Sequence, residues 1–102
     1  MKTAYILNIY MRSGAVVTTV LADIKITGQG KIRAFEADYV NQDAFKRIRE
    51  EYHQYDLEFF LLNWCDVKDF LMVTVLDWIE IQDSDTTAGE KVEEPKEEEK
   101  DE

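Results

Sequence analysis

Residues 57–81 read LEFFLLNWCDVKDFLMVTVLDWIEI, and no other stretch of this chain is as rich in apolar side chains. Its first part, residues 57–62, is interrupted only by Glu58. Because successive side chains of a strand point to opposite faces, a strand here would be apolar on both faces, as strands covered on both sides are. Periodicity alone cannot separate such a strand from a buried helical segment. We predict a strand, with a buried helix as the alternative.

A polar break separates this first part from the second. Residues 63–69 contain Asn, Lys and two Asp, which is typical of a tight turn or a single helical turn. From Phe70 to Ile81 the chain is rich in β-branched and aromatic side chains. This composition predicts a long strand that is apolar on both faces at its start and amphipathic at its end.

Upstream, three further strands are predicted from alternating patterns. Residues 4–11 and 16–27 form a hairpin around Ser13 and Gly14, where glycine supplies the positive φ that a tight turn requires. A second turn at residues 28–31 leads into a third strand at residues 32–40. Together with the stretch at 57–81, these segments predict a sheet built mainly from hairpins.

Residues 41–54 change period and predict one amphipathic helix. Phe45, Ile48 and Tyr52 recur at spacings of three and four, with charged side chains between them. Asn41 can cap the N-terminus of this helix. His53 falls at its C-terminal end, where an imidazole suits the helix dipole, and we interpret it as a surface residue.

The composition changes sharply at Asp83. Residues 83–102 contain ten acidic and three basic residues, and only Ala88 and Val92 are apolar. Such a segment cannot bury enough apolar surface to offset the entropy of ordering it. We therefore predict one domain at residues 1–82, followed by a disordered acidic tail at residues 83–102 that folding does not require.

Charge and cysteine content narrow the class of protein. Residues 1–82 carry nine basic and twelve acidic residues, which argues against binding nucleic acid through its phosphates. Cys65 is the only cysteine, so it cannot form an internal disulfide, and we interpret it as a small buried residue in a reducing compartment. We expect a cytoplasmic protein without a signal peptide or a membrane span.

Two groups of side chains are candidate binding residues. The first group lies near the predicted turns and could hold an anionic, nucleotide-like ligand through charge-assisted hydrogen bonds, with ordinary solvated turn charges as the alternative. Its members are Tyr10, Arg12, Lys31 and Arg33. The second group is Trp64 and Trp78, because tryptophan is enriched at interface hot spots; a core position is the alternative.

The sequence shows no pattern that is typical of catalysis or of metal binding. Asp66, Asp69 and the lone His53 lack the convergent ligands or the nucleophile that such chemistry needs. An enzyme that uses these residues is the least favoured hypothesis. We expect no catalytic residue, no metal and no cofactor.

The layout of a compact β-rich domain, one helix and a charged tail resembles that of small proteins encoded by bacteriophages and mobile elements. This resemblance rests on size and organisation and assigns no residue roles. It implies a non-enzymatic protein that binds or inhibits a partner.

These patterns predict an α+β fold in which about five strands, in the order β-β-β-α-β-β, form a mainly antiparallel sheet with one helix packed on it. Of the 46 hydrophobic residues, 44 lie in residues 1–82. They make up more than half of this segment, above the roughly 45–50% of ordinary domains. One helix covers only part of one sheet face, so we predict a homodimer, with a closed roll as the alternative. The predicted function is protein binding that occupies a partner; the alternative is binding of a small anionic ligand near a protomer interface.

Overall fold

The computed structural model describes residues 1–95 and confirms the α+β fold with an antiparallel sheet and one main helix. Four long strands and two short ones form a single sheet in the order β4-β1-β2-β3-β5, and β6 also pairs with β3. The strands are β1 (Lys2–Met11), β2 (Val16–Thr27), β3 (Ala34–Val40), β4 (Phe70–Ile81), β5 (Thr86–Thr87) and β6 (Val92–Glu93). The helices are α1 (Gln42–Glu51) and the single turn α2 (Trp64–Val67), and a short 3-10 turn spans Asp83–Asp85.

The β1–β2 hairpin forms the centre of the sheet. Gly14 has φ 98° and donates its backbone N–H to the Met11 carbonyl at 2.9 Å, so the turn lies where the sequence placed it. Further along β2, Asp23 has φ 51°, and the β2–β3 register shifts between Ala22 and Lys25. This shift is a β-bulge, which bends the outer half of β2 and the β3 strand paired with it.

Alternation along β1 supplies two hydrophobic cores on opposite faces of the sheet. Ala4 and Ile6 are buried in one cluster with residues of α1. Leu7 and Ile9 are buried in a second cluster around α2. We call these faces the α1 face and the α2 face. A single sheet is therefore covered on both sides, by the main helix on one and by α2 with its flanking chain on the other.

The α1 helix begins as the sequence predicted. The Asn41 side chain accepts a hydrogen bond from the backbone N–H of Ala44 at 2.9 Å, which caps the helix. The helix ends at Glu51, three residues earlier than predicted, and Tyr52 is its C-cap. His53 is exposed beyond that end, which agrees with a surface residue.

The predicted strand at residues 57–62 is wrong, because this segment crosses from one face of the sheet to the other. Leu57 is buried in the α1 cluster and Leu62 in the α2 cluster. Between them, Glu58 donates its N–H to the Thr18 carbonyl at 2.8 Å and accepts from the Thr19 hydroxyl at 2.7 Å. The segment is apolar on both sides because its two ends enter different cores. The turn predicted at residues 63–69 is confirmed and contains α2.

The prediction of a disordered tail is wrong for residues 83–94. Residues 83–94 run along β3, where β5 pairs with Tyr39 and Val40 and β6 pairs with Ala34 and Phe35. We call residues 83–94 the strap. Residues 96–102 of the predicted tail lie outside the described residues. Within residues 1–95, no helix is both long and apolar enough to cross a membrane.

Candidate functional site

Strand β4 lies at one edge of the sheet, and among residues 1–95 it pairs only with β1. It contains twelve residues, which is about 40 Å of strand at ~3.4 Å per residue. Proteins commonly protect such edges with lysine, proline or short strands. The sequence of β4, FLMVTVLDWIEI, has no lysine, arginine or proline. This edge is therefore long and carries little that would prevent another strand from pairing with it.

The exposed side chains of β4 are large and apolar. Trp78 is 60% exposed and Val75 is 57% exposed. We call the exposed set the β4 edge surface. Its members are Leu71, Met72, Val75, Leu76 and Trp78. Val75 and Trp78 pair with Leu7 and Tyr5 on the α2 face, whereas Met72 pairs with Tyr10 on the α1 face. Because large apolar side chains flank this open strand edge on both faces, the edge surface is the strongest candidate for a binding site.

Two irregularities in the β1–β4 register turn leucines outward. Ile6 pairs with Asp77 and Leu7 with Val75, so Leu76 has no partner on β1. A second shift, between Tyr10 and Met11, leaves Leu71 without a partner on β1. Bulges often re-aim a side chain or end a pairing. Here they add apolar side chains to an already exposed edge.

A shallow apolar cavity of about 250 Å³ adjoins the β4 edge surface on the α2 face. The bend in β2 at Asp23 brings the outer part of β2 to one wall of the cavity, and β1 and β4 form the rest. The lining residues are Tyr5, Leu7, Ile24, Ile26, Val73 and Val75. Trp78 pairs with Tyr5 across the sheet and so extends the apolar surface from the cavity to the edge.

The structure does not join the four predicted ligand-binding residues by hydrogen bonds or ion pairs among residues 1–95. The Asn8 amide donates to the Tyr10 hydroxyl at 3.3 Å. Arg33 pairs with Glu94 of the strap at 2.6 Å. Arg12 lies in the β1–β2 turn, and Lys31 borders a separate cavity in the β2–β3 loop. These separate contacts do not favour a shared anionic-ligand site, which stays a prediction.

The two tryptophans differ in exposure. Trp64 is half-buried against the α2 cluster, where it helps to cover the second core. Trp78 points outward from β4, so the alternative of a core position is wrong for this residue. Cys65 is exposed on α2, so our interpretation of a buried cysteine is also wrong. A one-turn helix on the surface leaves one side of each turn in water, and Cys65 lies on that side.

A polar cavity of about 820 Å³ contains an ion-pair cluster. Lys2 donates to Asp38 at 2.7 Å and lies 3.4 Å from Asp23. The hydrogen bond from Lys2 holds the pKa of Asp38 below its ordinary value, and the same bond raises the pKa of Lys2. Lys2 also contacts the Thr86 hydroxyl at 3.2 Å, so this cluster ties the strap to β1 and β3.

Asp66, which the sequence singled out, and Asp77 both accept side-chain hydrogen bonds. Asn63 donates to the Asp66 carboxylate at 2.6 Å and caps α2. The Tyr55 hydroxyl donates to Asp77 at 3.4 Å, and burial followed by the Asp77 charge raises the pKa of Tyr55. No group of three or more potential metal ligands occurs within residues 1–95.

Comparison with protein-family models, with curated proteins and with solved structures finds no match to this chain. The candidate site therefore rests on the geometry of β4. Sequence reasoning found Trp78 but missed the rest of the β4 edge surface. No local signal marks this surface, because a long strand without lysine or proline suits a central position in a sheet equally well.

Proposed function

We propose that this protein is a non-enzymatic protein-binding module that occupies its partner through the β4 edge surface. The observation that supports this most is a twelve-residue edge strand with five large apolar side chains exposed along it. An edge strand offers a row of unpaired backbone donors and acceptors, and a partner strand can satisfy them. Side chains at alternate positions then provide the specificity.

The apolar composition of the edge favours a protein partner. Asp77 and Glu80 are its only charged residues, and Asp77 already accepts hydrogen bonds from Tyr55 and from the Trp78 backbone. The anchor residue would be Trp78, because tryptophan combines a large apolar area with one donor and dominates many interfaces. Occupying the edge of a partner's sheet is a mode of action suited to an inhibitor.

The partner that fits this edge most simply is a second copy of the chain. Two β4 strands that pair antiparallel about a two-fold axis would join both sheets into one, and the same apolar residues would meet on each side. Homodimerisation would remove the β4 edge surface from water without any other protein. The exposed thiol of Cys65 suits a reducing compartment, so we propose a cytoplasmic location.

Sedimentation equilibrium of the full chain and of two lysine variants tests this proposal. We expect the wild type to have the mass of two chains and Val75→Lys to have the mass of one, because a charge on the edge blocks pairing. Val16→Lys is the matched control: Val16 is 52% exposed but lies on β2, so this variant should remain a dimer. A wild-type mass of one chain at high concentration, or equal masses for Val75→Lys and wild type, would contradict pairing through β4.

A further inference from the structure

The hydrogen-bond pattern of the central hairpin fixes which way the backbone of each neighbouring strand points. In an antiparallel pair, directly opposed residues alternate between pairs that exchange two hydrogen bonds and pairs that exchange none. The Met11 N–H donates to the Ala15 carbonyl at 2.9 Å, so every second residue counted back from Met11 bonds to β2. The residues between them bond to β4. The Arg12 N–H follows the same alternation, because it donates to the Asp69 carbonyl at 2.8 Å.

The backbone groups that β4 leaves at the open edge belong to residues whose side chains lie on the α2 face. Thr74 and Asp77 pair with residues of β1 that bond to β4. Val73, Val75 and Trp78 pair with the alternate residues of β1, so their N–H and C=O groups point to the open edge. A strand added at this edge must bond to these three residues.

Few registers let two β4 strands exchange these bonds. A two-fold axis perpendicular to the sheet keeps both α2 faces on the same side and pairs edge-facing residues with edge-facing residues. Two such registers use most of the strand: in one Val75 lies opposite the partner's Val75, and in the other Asp77 lies opposite the partner's Asp77. Registers centred on Thr74 or on Trp78 pair fewer residues, because both lie farther from the middle of the strand.

Charge decides between the two registers. Asp77 and Glu80 are the charged residues of β4. Centring on Asp77 would bring two carboxylates face to face, and like charges directly opposite each other destabilise a sheet. It would also set Glu80 against the partner's half-buried Val73. The other register sets Asp77 opposite the partner's Thr74, and Glu80 opposite the partner's Phe70, whose ring is buried in its own core. The register centred on Val75 is therefore favoured.

We propose that the dimer is centred on Val75, and that Trp78 of each copy covers the apolar cavity of the other. This inference rests on the proposed function, because it specifies the register of that β4 pairing. In this register Trp78 lies opposite the partner's Val73, which lines the cavity on the α2 face. The cavity of about 250 Å³ is smaller than the ~300–1,000 Å³ of small-molecule sites, so a side chain suits it better than a free ligand. The second copy supplies the ring that closes each cavity toward the open edge.

Single cysteines along β4 test the register. Each full-length variant carries Cys65→Ser, so the introduced thiol is its only one, and Val75→Cys is compared with Val73→Cys and Thr74→Cys. Opposed residues of a hydrogen-bonded pair have Cα atoms about 5.5 Å apart, within the ~4.4–6.8 Å of a disulfide. Across the proposed axis, the two copies of position 74 lie roughly 8 Å apart and those of position 73 roughly 14 Å, which is too far for a disulfide.

We expect diamide oxidation to convert most of Val75→Cys into a disulfide-linked pair and little of the two neighbouring variants, as measured by intact mass without reductant. Far-UV circular dichroism and sedimentation equilibrium under reducing conditions establish that all three are folded dimers. Faster cross-linking of Val73→Cys or Thr74→Cys, or no preference for Val75→Cys, would overturn the register. The last result is also what the register centred on Asp77 gives, since it offsets the two copies of position 75.

Fluorescence tests the seat of Trp78. Trp64→Phe leaves Trp78 as the only tryptophan of the chain. We expect its emission to lie at shorter wavelength in the dimer than in the Val75→Lys monomer, because its ring leaves water. The chain that keeps Trp64 should show a smaller shift in the same direction. Equal emission from dimer and monomer in both chains would overturn the placement of Trp78 over the partner's cavity.

These outcomes separate the register from the proposed function. If Val75→Lys leaves the mass of the full chain unchanged, pairing through β4 fails, whichever thiol reacts. If Val75→Lys dissociates the dimer but Val75→Cys is not the variant that cross-links fastest, the proposed function stands and the register fails.

Discussion

Replacing Phe70 with alanine should strongly destabilise the domain, because this ring anchors the edge strand to the α2 face. Phe70 is 1% exposed and is the first residue of β4. Its ring packs edge-on against Phe35 of β3, with centroids 5.6 Å apart and planes at 83°. The contact thus connects two strands that are not neighbours in the sheet order.

The expected loss follows from burial and from ring geometry. Truncating a buried phenylalanine to alanine typically costs about 3–5 kcal/mol, part of which is the cavity left behind. The edge-to-face pair with Phe35 accounts for about 0.5–1.5 kcal/mol of this. Since the free energy of unfolding of a small domain is about 5–15 kcal/mol, Phe70→Ala should remove a large share of it. Phe59 pairs with Phe45 in a similar geometry but is 41% exposed, so Phe59→Ala should cost only about 1 kcal/mol.

Urea denaturation followed by circular dichroism measures both losses as free energies of unfolding. A double-mutant cycle of Phe35→Leu and Phe70→Leu isolates the contact between the rings, and we expect a coupling of about 0.5–1.5 kcal/mol. The reasoning fails if Phe70→Ala costs no more than Phe59→Ala, because the α2 core would then not hold β4. A coupling near zero would show that the two rings do not meet.

Three further predictions follow from the backbone and from the strap. Gly14→Val should destabilise the hairpin by about 1–3 kcal/mol in urea, because φ is 98° there; equal stability would contradict this turn. A chain ending at Gln82 should melt roughly 5–10 °C lower than a chain of residues 1–95, because it lacks the bonds of the strap; equal melting temperatures would mean that the strap adds no stability. The pKa of Asp38 is lowered by Lys2, so its stabilisation is present above the ordinary value of 3.8 and is lost as the pH falls through the lowered pKa. Lowering the pH from about 5 to about 2.5 should therefore reduce the melting temperature of Asp38→Asn less than that of the wild type. Equal reductions would contradict a stabilising Lys2–Asp38 pair.

The acidic strap shows where composition misleads. Judged by its residues alone, the segment after Gln82 should stay unfolded, since it has only two apolar side chains. The structure orders residues 83–94 because β3 already presents a row of backbone groups that needs partners. Val92 packs against the α2 cluster, and Gly89, which has no side chain, lies against the Ala37 carbonyl. The residues of the segment do not reveal that β3 will offer these backbone partners.

The prediction of a strand at residues 57–62 is wrong for a related reason. Its two-faced apolar pattern is real, but the pattern is equally compatible with a buried strand and with a chain that enters two cores in succession. Only the positions of Leu57 and Leu62 in different clusters separate these readings.

The sequence by itself determined the elements whose signals are local. Alternation along residues 4–11 and 16–27, the glycine at position 14 and the cap at Asn41 all act within a few residues, so the central hairpin and α1 could be predicted. The tertiary structure alone decided which strand lies at an edge. Strand order depends on pairings between residues far apart in the chain, and β4 carries a pattern that would suit a central strand equally well. Its exposure, and with it the candidate binding surface, follows from its place at the end of the strand order, where β1 is its one paired neighbour within residues 1–95.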